Sequence, residues 1–439
     1  MGTTVGPSSG LSTGLNTKYQ RLIQQTLRVE SQPKVDLENQ REQQKNKKSV
    51  VNNLDGKLSS LQNQLGTLTD TSSNPFEGRT ASVEEGTTAF NVSADKTAST
   101  GSHSLSVSRL ASEDARASQE YTAGGSKLEN DFSGKQTFDL EVATPSDSSN
   151  DRKSVRVELS SSDFSGTNEE VLSNVQSAVD SARQSGVDNG KMASDERPSV
   201  SVITPTSNTA RLSVRSAETG YDGRLKFSNT GTDDGLLSNL QVQKSDGAVG
   251  ENADGEDGGY ITKVGDTESG SELTSEFTLD GLTLTRNSNK VDDALEGVTV
   301  NLEEKNGTES SFEVTADEEG AKSVVEDFVD RVNEVITFLK KETDLAPNED
   351  EERGTLADDS TFRRLERQPR TDATAPVDGQ PEGLDTLSDI GIEANRDGTL
   401  KLADEEALKT AVRENESAVK DLFASSDGVA TRLEGRVDR

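Results

Sequence analysis

Two apolar stripes near opposite ends of the chain constrain its fold more than any other feature. Val51, Leu54, Leu58, Leu61, Leu65 and Leu68 are spaced 3, 4, 3, 4 and 3 residues apart; downstream, Val325, Phe328, Val332, Val335 and Leu339 are spaced 3, 4, 3 and 4. Both are heptad seams, the pattern of helices that bury a narrow stripe against another helix. Between them lie more than two hundred residues that read as strands and turns. The expected class is therefore α+β and multidomain. An α-helical leg, coiled coil or bundle, is built from both ends of the chain, and β-rich head domains are nested between. Such a shape suits an assembly protein better than an enzyme.

Composition limits how large each core can be. Only 29% of the 439 residues are hydrophobic and 4% aromatic, and the formal net charge is -33. Little apolar surface is available to offset ordering entropy, so several small, lean cores within a carboxylate-rich surface are expected. That surface repels itself at low ionic strength, which predicts a salt-requiring, halophilic type of protein. It also excludes nucleic acid as a partner, because nothing basic would meet the phosphates. There is no Cys and hence no disulfide framework. No stretch approaches the ~20 apolar residues of a membrane span. The opening MGTTVGPSSG has neither the basic nor the apolar region of a cleaved signal peptide.

Organisation follows from where the pattern changes. Residues 1–45 read as an N-terminal stem segment, with Leu15, Tyr19, Leu22, Ile23 and Leu27 at helical spacing and Pro33 interrupting or kinking the helix. Continued in register from Leu37 to Val51, the seam positions are Gln40, Gln44 and Lys47, a stripe too polar to hold a helix alone. Residues 46–76 and 318–439 form the discontinuous leg, 77–118 and 272–317 a discontinuous inner β domain, and 119–271 an inserted outer head. In the inner domain Leu105 and Val107 alternate with serines, and Asn306-Gly307 between alternating runs predicts a hairpin. The head alternates at Phe138/Leu140/Val142 and Val155/Val157/Leu159, then carries a short amphipathic helix around 171–179. Its aromatics Phe138, Phe227 and Tyr260 read as core.

Catalytic chemistry is hard to assemble from these residues. The single histidine, His103, lies in a Ser/Gly-rich stretch before a strand and reads as an exposed loop residue rather than a general base. No P-loop, nucleophile elbow or dinucleotide fingerprint is present. Glu251, Asp254, Glu256 and Asp257 could offer oxygen to Ca²⁺, but the spacing is not that of an EF-hand. They read as a solvated charge run. No enzyme activity, cofactor or metal is expected. The leg seam Leu54, Leu58, Leu61 and Leu65 would pack within one subunit against Val325, Phe328, Val332 and Leu339. The stem residues 15–50 find no mate in the chain.

Several segments, in order, resemble one family. They are GLSTGL at 10–15, RVESQP at 28–33, FEGRTA at 76–81 and GSHSLSVSRLA at 101–111. Downstream come DGLTLTRNSNKVDDALEGVTV at 280–300, VVEDFVDRVNEVITF at 324–338, GTLADDSTFRRLERQPR at 354–370, LSDIGIEANRDGTLKL at 387–402 and AVKDLFA at 418–424. The chain resembles the flagellar filament-capping, hook-associated protein 2 family (FliD family) over roughly 10–115 and 275–430. The resemblance implies a ring-like homo-oligomer at the filament tip, extracellular, with flagellin adding beneath it. It implies flagellin, hook-associated proteins and a flagellar export chaperone as partners. It also implies export through the flagellar type III apparatus without a cleaved signal. Leu15, Tyr19, Leu22, Ile23 and Leu27 would then form the stem contact.

Three departures from the family pattern carry expectations. The family continues with a long C-terminal helix that pairs with the N-terminal one, whereas this sequence reads to Arg439 within GVATRLEGRVDR; a chain lacking that helix is expected. Pro369 stands at an apolar position, so the helix starting near Ser360 should end early. Glu416 replaces a usual proline, so the chain should run straighter there. The alternatives are a hook–filament junction protein and a secreted acidic adhesin or glycan-binding module.

Overall fold

The structure is a computed structural model that describes residues 12–145, 152–230, 235–242, 257–345, 353–366 and 368–437, with the backbone alone for 12–18 and 20. Helix α1 (Ser12–Thr69) leads into β1 (Arg79–Val83), β2 (Phe90–Ala94), β3 (Gly101–Arg109), β4 (Glu113–Ala117) and β5 (Tyr121–Thr122). Next come α2 (Lys127–Asp131), β6 (Gln136–Val142), β7 (Lys153–Leu159), α3 (Asn168–Asp188), β8 (Ser199–Ile203), β9 (Thr209–Thr219), β10 (Lys226–Asn229), α4 (Gly235–Leu240) and β11 (Gly259–Tyr260). Strands β12 (Ser275–Leu279), β13 (Leu282–Arg286), β14 (Lys290–Leu295), β15 (Val298–Leu302) and β16 (Ser310–Ala316) follow. The chain then forms α5 (Glu318–Thr343), α6 (Ser360–Leu365), α7 (Gln368–Thr374), β17 (Ile392–Ala394), β18 (Leu400–Leu402), α8 (Glu405–Ala424) and α9 (Val429–Val437). These elements make two compact units, Met1–Gly78 with Ala316–Arg439, and Arg79–Thr315.

In the first unit, α1 is one continuous helix of 58 residues that contains Pro33. The expected interruption is absent. Proline removes one backbone bond and crowds the preceding turn, at about 3 kcal/mol; the surrounding Leu, Gln, Arg, Glu and Lys residues favour helix strongly enough to carry it through. The helix ends where Asn74 closes it: its Nδ2 donates to Leu68 O (3.1 Å) while its Oδ1 accepts from Phe76 N (3.1 Å). Helix α5 starts on Asp317, which accepts from Gly320 N, and bears Glu318 and Glu319 in its first turn and Lys340 and Lys341 in its last. Both placements suit the helix dipole. Leu54, Leu61, Leu65 and Leu68 share one core with Val325, Phe328, Val332, Val335, Leu339 and the inner faces of α8 and α9. Val51, by contrast, is 40% exposed, so the buried seam begins at Leu54.

Helix α6 stops at Leu365, and Pro369 sits in the first turn of α7, where a missing N–H costs little. The expectation of a straighter chain at Glu416 is overturned. Asn415 has φ −141 and ψ 44, so α8 bends there without a proline. An asparagine can leave helical geometry because its side chain offers the backbone alternative hydrogen bonds.

The second unit holds two separate apolar cores. One is enclosed by the sheets β1-β16-β3-β12-β13 and β14-β15-β2, with Phe90, Leu105, Phe277, Val300 and Phe312 inside. The other joins α3 to the sheets β10-β6-β7 and β11-β4-β9-β5, with β8 on β9, around Phe138, Leu140, Val157, Val171, Val175 and Leu212. Helix α3 spans 21 residues, longer than the short helix its apolar positions suggested, and opens on a capping box between Thr167 and Glu170. The Asn306-Gly307 hairpin does not form. Strand β15 pairs with β14 and β2 (Val300 with Val92), and β16 pairs with β3 (Phe312 with His103). The segment 303–309 therefore crosses between sheets, and Gly307, at φ 62, donates its N–H to Val107 O. A two-residue hairpin occurs instead at Asp280-Gly281, between paired Leu279 and Leu282. Both turn residues have positive φ, 50 and 81, as a type I′ turn requires.

Candidate assembly interface

The residues expected to act lie at two stretches of α1. In the second stretch Leu54, Leu61 and Leu65 are buried, and Leu58 is half-buried against the same core. Polar contacts fix the register with α5: Gln64 Nε2 donates to Val324 O (3.1 Å), and Lys57 Nζ reaches Glu334 (3.4 Å). On α5, Val325, Phe328, Val332 and Leu339 are each fully buried. Phe328 meets Phe423 edge-on at 5.6 Å, and Phe423 stacks on Phe76 at 5.0 Å. The structure thus brings all eight leg residues to one core.

In the first stretch no described residue covers the apolar side chains. Tyr19 is 60% exposed, Leu22 58%, Ile23 57% and Leu27 58%; Val29 and Leu37 are open as well. The side chain of Leu15 lies outside the described residues. Gln40 and Gln44 are exposed and Lys47 half-buried. At 1.5 Å per residue a helix of this length extends roughly 87 Å, and only its last turns rest on a core. Four large apolar side chains within nine residues of one unsupported helix constitute a patch that calls for a partner.

Ion pairs tie the other helices together. Lys322 binds Glu405 (2.6 Å), Arg413 binds Glu318 (2.8 Å), Lys420 binds Glu77 (2.6 Å), and Lys409 pairs with Glu319. The hydrogen bond that Lys322 donates to Glu405 raises its pKa above the ordinary lysine value, and the bond from Lys409 lowers that of Glu319. These pairs are structural.

Elsewhere the site expectations change. His103 is not a loop residue: it lies within β3, half-buried, its ring stacked on Phe312 at 5.2 Å and its Nδ1 2.7 Å from Asp280. Glu251, Asp254 and Glu256 lie outside the described residues. Asp257 is described, and its carbonyl accepts from Arg211. Among the described residues no cluster of three or more His, Cys, Asp or Glu could hold a metal, and no helix is long and apolar enough to cross a membrane. Tyr260 is half-buried, its ring 4.3 Å from the Arg116 guanidinium, which sequence reasoning did not foresee.

Two family models match this chain, the flagellar hook-associated protein 2 N-terminus over residues 14–114 and C-terminus over residues 274–439. Together they account for more than half of the sequence. The A-type flagellar hook-associated protein 2 of Pseudomonas aeruginosa is 28% identical over 238 residues, 49% of this chain and 48% of that protein. The lateral flagellar hook-associated protein 2 of Vibrio parahaemolyticus is 26% identical over 348 residues, 77% of this chain and 66% of that protein. The chain thus spans about half the length of the first of these relatives and less than two thirds of the second. In fold it is similar to the D1-D2-D3 domains of the flagellar cap protein FliD from Escherichia coli, with a TM-score of 0.58 over 89% of this chain and 95% of that one at 21% identity. With both terminal models of one family matched in order, the chain belongs to the flagellar hook-associated protein 2 (FliD) family.

Proposed function

We propose that this protein is a structural assembly factor that caps the distal end of the flagellar filament and promotes flagellin polymerisation beneath it. The observation that carries this reading is α1. Its end is locked into a core through Leu54, Leu61 and Leu65, while Tyr19, Leu22, Ile23 and Leu27 project an uncovered apolar face. In this reading the exposed stretch is the stem and orders against neighbouring subunits or flagellin, bearing its ordering entropy on assembly. The working form is a ring-like homo-oligomer at the extracellular tip, exported through the flagellar type III apparatus with the help of an export chaperone. The division of labour proposed is stem (1–45), leg (46–76 and 318–439), inner β domain (77–118 and 272–317) and outer head (119–271). No catalytic step is assigned.

Deleting the gene in its own organism tests the reading. Loss of long filaments with unpolymerised flagellin shed into the medium supports it, and normal swimming overturns it. Re-expression of Leu22→Asp, which places a carboxylate in the exposed stripe and touches no core, is expected to leave the protein folded and the filaments absent.

A further inference from the structure

The sequence holds two Asn-Gly steps, Asn189-Gly190 and Asn306-Gly307. Both carry the same latent chemistry. The glycine nitrogen can attack the side-chain amide carbon of the asparagine, because glycine has no Cβ to hinder the approach. Folding treats the two steps differently.

Asn189 closes α3. It has φ −91 and ψ 6, and its N–H donates to Ser185 O (3.0 Å). Its Nδ2 donates to the same carbonyl (2.8 Å), which turns the amide back along the helix and away from Gly190. The N–H groups of Gly190 and Lys191 are held in turn by Val187 O (2.9 Å) and Gly186 O (2.8 Å). The step therefore belongs to a helix end, and that end has to unwind before the asparagine can cyclise.

Asn306 is placed otherwise. Residues 303–309 form neither helix nor strand, and each is exposed. Oδ1 of Asn306 accepts from Thr308 N (3.1 Å), an Asx turn that folds the side chain forward over the Asn306-Gly307 peptide. The bond brings Cγ to the side on which Gly307 N lies. It also polarises the amide carbonyl and sets a donor where attack creates an oxyanion. The space around Gly307 is open, with no atom within 4 Å of where a Cβ would stand. What restrains the step is the bond from Gly307 N–H to Val107 O (3.0 Å). Breaking it takes only local opening of an exposed segment, the least costly kind of opening.

We propose that Asn306 is a site of spontaneous succinimide formation and deamidation. The Gly307 nitrogen gives its proton to solvent base, its lone pair forms the N–Cγ bond, and the Cγ–Nδ2 bond breaks as ammonia takes up a proton and leaves. Water then opens the five-membered imide at either carbonyl, giving aspartate or isoaspartate. Either product adds a carboxylate beside the exposed Glu303, Glu304 and Glu309. Isoaspartate also routes the main chain through Cβ and Cγ, which lengthens the crossing between β15 and β16 by one backbone atom. The step needs no enzyme, so the converted fraction records how long the folded chain has existed. It does not depend on the capping reading.

Peptide mapping of the whole chain by tandem mass spectrometry tests the proposal, after incubation at about pH 7 and about pH 9, both folded and in urea, with digestion at acidic pH to keep the attacking nitrogen protonated. In the folded chain Asn306 is expected to convert faster than Asn189 by about tenfold or more, the difference being the cost of unwinding the helix end. In urea the two rates are expected to converge, because the structure that separates them is gone. Conversion at Asn306 should speed up as pH rises, and electron-transfer fragmentation should find isoaspartate as well as aspartate. An Asn306 left intact in the folded chain, or converted no faster than Asn189, overturns the proposal. A difference that persists in urea overturns it as well, since the selection then comes from the flanking residues and not from the fold.

Discussion

The Nδ1 of His103, the only histidine in the chain, lies 2.7 Å from Oδ2 of Asp280, although the two are 177 residues apart in sequence. The contact pins the turn between β12 and β13 onto β3, and Ser104 N adds a second bond to the same carboxylate at 2.8 Å. Asp280 itself sits at φ 50, in the left-handed region that an Asx residue tolerates better than most. A local feature that reads as a loose loop is therefore part of a clamp between two strands.

That clamp predicts a pH dependence. Burial pushes the Asp280 carboxyl up, but the hydrogen bonds from His103 and Ser104 outweigh it and hold the pKa below the ordinary aspartate value. A pKa lowered by folding means that the unfolded chain binds the proton more readily. The stabilisation is then present above the unfolded carboxylate pKa and is lost as pH falls through the folded one. Melting curves of the parent and Asp280→Asn are expected to diverge at neutral pH and to converge below the aspartate range. A constant offset across that range contradicts the assignment.

Phe328 is the centre of the leg core. It is fully buried and sits edge-on to Phe423, which in turn stacks on Phe76. Replacing it with alanine removes the ring from both α5 and α8 contacts and leaves a cavity, at a cost of about 3–5 kcal/mol. Denaturant unfolding of Phe328→Ala should show that loss with near-normal far-ultraviolet dichroism before the transition. A change below about 1 kcal/mol would mean that the site collapses freely around the deletion.

Arg116 holds the second core of the other unit together by a different route. Its side chain is 2% exposed and that of Asp114 fully buried, with 2.7 Å between Nη2 and Oδ2. Leu225 N donates to the same carboxylate, and Tyr260 lies over the guanidinium. Arg116→Met strands a buried carboxylate and should cost about 3–5 kcal/mol. The double variant with Asp114→Asn should recover part of that loss, because no uncompensated charge remains. Equal destabilisation by the single and double variants would show that Arg116 acts through its packing and not its charge.

Much of this architecture is legible in the sequence because its signals are local. The α5 seam from Val325 to Leu339 repeats every three and four residues, and all five positions are buried. The alternation of Phe138, Leu140 and Val142 likewise gives a half-buried strand. What escapes is set by partners far away in sequence. Asn306-Gly307 has the chemistry of a hairpin turn, yet β16 finds its neighbours at β3 and β1, about two hundred residues earlier. Nothing local distinguishes the two outcomes. Val51 continues the heptad spacing but lies one turn beyond where the other helices reach, so the pattern outlasts the contact. The exposed Leu22 and Ile23 can be named from spacing alone. The shared core that Leu61, Val332, Leu408 and Leu433 enter cannot, because it exists only once α1, α5, α8 and α9 are assembled.

The acidic surface predicts the sign of the salt effect. Two electrostatic terms compete. Exposed pairs such as Lys135 with Glu158, at 2.9 Å and more than half exposed on both sides, contribute about 0–1 kcal/mol each, and salt weakens them. Against this stands the repulsion among carboxylates left over at a net charge of -33. That repulsion acts over the Debye length, which shrinks from about 8 Å at 0.15 M to about 3 Å at 1 M. Pairs in contact feel little of that change, whereas unpaired carboxylates spread over a surface feel most of it. Raising NaCl from 0.15 to 1 M should therefore raise the melting temperature, and more so at pH 7 than at pH 4, where carboxylates begin to protonate and the excess charge falls. Scanning calorimetry at both salt concentrations and both pH values decides the matter. A melting temperature that is flat or falls with salt at pH 7 would mean that the ion pairs outweigh the repulsion, and the inference of a salt-adapted protein would fall with it.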